Sequence, residues 1–92
     1  MIIPLSFEKK NPTIKVFNNK TFYDIHIFLD GLTKDNITLK YINNFLILNL
    51  TLKNKYNDVL NFKRMLYINN IDINTIQNYV QANCIFLKIN KI

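Results

Sequence analysis

The chain has 92 residues, room for one domain and not two, and its hydrophobic half, 13% of the chain aromatic, supplies a core and excludes intrinsic disorder. No run approaches the roughly 20 apolar residues of a membrane span, the opening Met1-Ile-Ile-Pro-Leu-Ser-Phe7 has neither a basic leader nor a small-residue cleavage site, and the single Cys84 allows no intrachain disulfide and no cysteine-based metal cluster; a cytoplasmic location is expected. The net charge of +6 rests on lysines scattered from Lys9 to Lys91 and one arginine, Arg64, so it reads as a diffusely solvated surface and disfavours a nucleic-acid partner, which arginine serves better.

Period-two alternation of Ile, Leu, Phe and Tyr, broken by Asn, Asp, Lys or Gly, predicts an all-β chain with no sustained helical stripe. Residues 13–17 form a first strand, ended by Asn18-Asn19-Lys20. In 21–29, Tyr23, Ile25, Ile27 and Leu29 face the core and Phe22, Asp24, His26 and Phe28 face outward, until Asp30-Gly31 breaks the strand. A polar connection at 33–36, with room for one helical turn, leads to 37–42, where Ile37, Leu39 and Tyr41 share a face. Asn43-Asn44 is a two-residue hairpin turn, since Asn tolerates positive φ, and it joins that strand to 45–52, whose Leu46, Leu48, Leu50 and Leu52 point one way. After a polar loop at 53–60, residues 61–68 put Phe62, Arg64, Leu66 and Ile68 on one face. Ile76 to Val80 is a weak strand, and Ile85, Leu87 and Ile89 alternate in the last one. Seven short strands at even spacing predict an immunoglobulin-like β-sandwich of two antiparallel sheets.

The motifs Pro12…Phe28-Leu29-Asp30-Gly31, Lys34-Asp-Asn-Ile37-Thr-Leu39, Asn44-Phe-Leu46-Ile-Leu48, Phe62-Lys-Arg64-Met-Leu66-Tyr-Ile68, Ile71-Asp72-Ile-Asn-Thr-Ile76 and Asn83-Cys84-Ile85-Phe-Leu87-Lys-Ile89-Asn90-Lys91 follow one another from residue 12 to 91. Each is degenerate; in that order they resemble the α-crystallin domain of small heat shock proteins. The resemblance implies a short N-terminal arm at 1–11 and a sandwich domain at 12–92, with Gly31, Arg64 and Asn83 as structural residues. Asp30 and Asn90 stand where that family has proline, and Asn83 where it has glycine. Asn83 is therefore predicted to take a left-handed or turn conformation. The loop at 53–60 is shorter than the one that carries an exchanged strand in many members, and the arm and tail that build large assemblies are reduced, so a monomer or small oligomer, most simply a dimer, is expected.

The residues that could carry chemistry have plainer readings. His26, on the outward face, has no second ligand nearby in sequence, and Cys84 has no histidine or basic cluster beside it; they read as a surface residue and a small hydrophobe, and no metal site is implied. Arg64, among apolar neighbours, must reach water or a carboxylate. Glu8, Asp24, Asp30, Asp35, Asp58 and Asp72 are isolated, and a single glycine leaves no phosphate-binding loop, so neither an enzyme nor a cofactor is implied. By resemblance the function is that of an ATP-independent holdase chaperone of the stress response. It would bind partly unfolded proteins in a groove between strands 37–41 and 76–80, lined by Ile37, Leu39, Tyr41, Ile76 and Val80. The alternative is an interaction or co-chaperone module of the same fold with one defined partner.

Overall fold

The computed structural model describes residues 11–53, 58–81 and 83–92, with the backbone alone at Lys34. The expected arm at 1–11 lies outside these residues except for Asn11, as do 54–57 of the expected loop. Seven strands follow in chain order: β1 (Thr13–Asn18), β2 (Phe22–Phe28), β3 (Ile37–Ile42), β4 (Phe45–Lys53), β5 (Val59–Tyr67), β6 (Gln77–Gln81) and β7 (Cys84–Asn90). They form two antiparallel sheets, β1-β2-β7-β6 and β3-β4-β5. The fold is all-β, a sandwich of these two sheets.

The alternation read from the sequence sets which face is buried. Ile25 and Ile27 of β2 pair with Leu87 and Ile85 of β7, and all four are fully buried. From the other sheet Leu46, Leu48 and Leu50 of β4 meet them, the most exposed of the three retaining 1% of its surface. Burying each such side chain is worth about 2 kcal/mol, so these central strands hold the layers together. Leu29, Leu32, Ile68 and Ile71, from the connections, close the ends of the core.

Turn chemistry fixes the registers. Asn43 and Asn44 take φ of 53° and 69°, the paired left-handed geometry of a tight hairpin, and Ile42 is held opposite Phe45. The connection at 33–36 is a single 3-10 turn, Lys34–Asn36, which Asn36 ties down: its Oδ1 accepts from the Thr33 backbone N–H at 2.9 Å and from the Thr33 hydroxyl at 2.8 Å. A second 3-10 turn, Ile73–Thr75, is capped by the Asp72 carboxylate, which accepts from the Asn74 N–H at 3.1 Å.

Strand ends differ from the sequence reading by one or two residues, and two of these shifts bear on the expected loop and site. Of the loop expected at 53–60, Lys53, Val59 and Leu60 belong to strands instead: Lys53 pairs with Val59 and Leu52 with Leu60, in a backbone ladder whose hydrogen bonds do not depend on side-chain polarity. Ile76 is not in a strand. It ends the second 3-10 turn, and β6 begins one residue later and runs through Gln81.

Candidate functional site

Four of the five expected groove residues fall on two strands that are each the outermost of a sheet, and Ile76 immediately precedes the second of them. Among the described residues β3 pairs only with β4, and β6 only with β7. Ile37, Leu39 and Tyr41 point inward from β3 as neighbours across the ladder of Leu50, Leu48 and Leu46, and they remain half-buried because no strand flanks them on the far side. Tyr41 is also anchored: its hydroxyl donates to the Ile68 carbonyl at 2.6 Å. Ile76 packs against the core from the end of the 3-10 turn. Val80 is different. It lies opposite Ile85 and therefore on the inward face, yet it keeps 42% of its surface exposed.

Every residue of β6 is exposed, and none of Gln77-Asn-Tyr-Val-Gln81 is charged or a proline. Edge strands are usually guarded by such residues, so β6 offers unpaired backbone groups beside an accessible apolar side chain. The geometry can bind an extended chain through main-chain hydrogen bonds, with sequence tolerance supplied by apolar contacts.

The residues expected to be structural occupy defined positions. Asn83 has φ of 61°, in the left-handed region. From there its side-chain Oδ1 accepts from the Gly31 N–H at 3.1 Å, and its carbonyl accepts from the Leu29 N–H at 3.1 Å. The turn before β7 is thereby fastened to the turn after β2, where Gly31 itself takes φ of 83°. Arg64 sits across from Leu48 on the inward face of β5, and its Nη1 donates back to the Lys63 carbonyl at 3.0 Å, with the guanidinium 5.9 Å from the Phe62 ring. The apolar stem stays over the core edge while the charge reaches the rim.

Cys84 is 5% exposed, and burial pushes its thiol up, against a smaller opposing effect of a backbone hydrogen bond with Ile27. A raised thiol is a poor nucleophile at neutral pH. Among the described residues no cluster of three or more His, Cys, Asp or Glu side chains could hold a metal ion, and no helix is long and apolar enough to cross a membrane.

One feature escaped the sequence reading. His26, expected as an isolated surface residue, stands between Phe17 and Phe86, with ring centroids 4.7 and 4.6 Å away, on the outer face of the four-stranded sheet. Phe28 adds a further edge contact at 6.3 Å. The alternation marks each of these residues as outward; only strand pairing brings them together.

No family model matches the sequence, and no curated protein does. Solved structures do. Heat shock protein 16.0 from Schizosaccharomyces pombe superposes with a TM-score of 0.75 at 18% identity, over 88% of this chain and 86% of that one. The chain has the fold of the small heat shock proteins. A small heat-shock protein from Xylella fastidiosa, described as having a distinct high order structure, matches with a TM-score of 0.73 at 13% identity, covering 88% of this chain and 85% of that one. HSP18.5 from E. histolytica matches with a TM-score of 0.64 at 20% identity, over 87% and 86% of the two chains. Identities this low leave the small heat shock protein fold resting on its pattern of burial and turns.

Proposed function

We propose that the chain is an ATP-independent holdase, binding partly unfolded proteins through the edges of its sandwich, and that it is not an enzyme. The observation that carries this reading is β6, an uncharged edge strand exposed along its whole length, with Val80 inward-facing yet open to solvent. Likeness to the fold of small heat shock proteins supports it. Ile37, Leu39 and Tyr41 on β3, with Ile76 and Val80, form the apolar lining in this proposal.

The test is suppression of aggregation of a model client at near-stoichiometric ratio. Val80→Asp and Leu39→Asp should lower protection several-fold, while Lys40→Gln, exposed on the opposite face of β3, should leave it unchanged. Val80→Asp is the cleaner variant, because Val80 is more exposed than the half-buried Leu39. Equal losses from Val80→Asp and Lys40→Gln would point to charge-driven binding and sink the groove.

Association belongs to the same reading. Unpaired edges favour a dimer or small oligomer, and a net charge of +6 opposes it through repulsion that salt screens over about 8 Å at physiological ionic strength. Light scattering over a salt series should show association growing as salt is added. A stable particle of many subunits at low salt would contradict it.

A further inference from the structure

We propose that the outer face of the β1-β2-β7-β6 sheet binds single-stranded nucleic acid without sequence preference. The registers assemble the face in rows. Lys15, His26, Phe86 and Tyr79 lie side by side across the four strands, and Phe28 and Phe17 flank that row on either side. Phe17, Phe28 and Tyr79 keep 45%, 37% and 54% of their surface in solvent, a large aromatic exposure for one sheet face.

Lysines are laid across these rings. The Lys88 ammonium is 4.5 Å from the centre of Phe22, and that of Lys15 is 5.8 Å from Phe28. Lys20 in the β1–β2 turn stands at the end where Lys88 lies, whereas the Lys91 ammonium turns to the other face, 4.8 Å from the Tyr23 ring and donating to Asn18 Oδ1 at 2.6 Å. Asp24, opposite Lys88, is the one acidic residue in the four strands.

The mixture decides the partner. An apolar protein surface docking here would strip water from Lys15, Lys88 and Asp24 with nothing to replace it, a cost of several kcal/mol per buried ion. A chain of flat aromatic groups joined by anions uses both features, with bases stacking on rings and phosphates meeting ammonium groups. Residues two apart on a strand are about 6.7 Å apart and neighbouring strands about 4.8 Å, so the face accommodates roughly three or four nucleotides. Lysine suffices because no base edge is read.

The test is fluorescence anisotropy of a labelled oligothymidylate of about twelve nucleotides, with heparin as a base-free polyanion in parallel. The intact chain should bind the oligonucleotide, weakening with salt at a log–log slope of about −2 for three phosphates. Phe17→Ala and Tyr79→Ala should each weaken it about tenfold and leave heparin binding unchanged. Lys88→Gln should weaken both ligands. Tyr67→Ala and Lys63→Gln, exposed on the outer face of the other sheet, should change neither. The proposal is overturned if the oligonucleotide does not bind at low salt, or if Phe17→Ala and Tyr79→Ala leave its affinity unchanged. It is equally overturned if those two variants reduce protection of an aggregating client while oligonucleotide binding stays intact, which would make the face a protein-docking surface.

Discussion

β7 and β6 are neighbours in one sheet and behave as opposites. In β7, Ile85, Leu87 and Ile89 have no exposed surface, whereas in β6 even Val80, facing the same way as its partner Ile85, stays open to solvent. The two strands are joined by the same kind of backbone ladder. What separates them is whether a second layer and a second neighbour lie against the side chains, and only β7 has both. The centre of this sandwich therefore carries its stability, and the rims are free to carry binding.

The largest expected effect tests that division. Leu48, fully buried at the middle of β4 between Leu39 and Arg64, should lose about 3 kcal/mol on Leu48→Ala, lowering the melting temperature by on the order of 15 °C. Val80→Ala should cost under about 1 kcal/mol, because Val80 still keeps 42% of its surface in water in the folded state. Circular dichroism melts of the two variants measure the difference. Similar losses would show that β6 is as much a part of the core as β4, and the separation of stability from binding would fail.

The sequence made the centre legible and the rims less so, for the same physical reason. Where both neighbours are present, burial imposes strict alternation: Leu46 to Leu50 and Ile85 to Ile89 could be assigned to the core on period alone. Asn43-Asn44 was legible because few residues other than glycine enter the left-handed region readily, and Asn83 because it stands where the family it resembles has glycine. At the edges the constraint lapses. Lys53, Val59 and Leu60 read as loop but sit in the ladder, and Ile76 read as strand but ends a 3-10 turn. The aromatic outer face was hidden differently, since Phe17, His26 and Phe86 lie on three strands and only the pairing of β1 with β2 and of β2 with β7 places them in contact.

A smaller effect sharpens the comparison at the point where centre and rim meet. Asn83 lies between exposed β6 and buried β7, and it is bonded across to Leu29 and Gly31 at the end of β2, so it fixes where the edge strand leaves the core. Two terms act there and can be separated by substitution. Asn83→Ala keeps a β-carbon at φ of 61° and removes the acceptor for the Gly31 N–H; left-handed strain and the lost hydrogen bond together should cost about 2 kcal/mol. Asn83→Gly removes the same acceptor and relieves the strain, so its cost should stay within about 1 kcal/mol. Thermal unfolding of both variants reads the split. If alanine and glycine cost the same, the hydrogen bond alone matters and the backbone conformation does not select the residue. If neither is destabilising, the turn does not fix β6 to the core, and the edge would be positioned by its ladder with β7 alone.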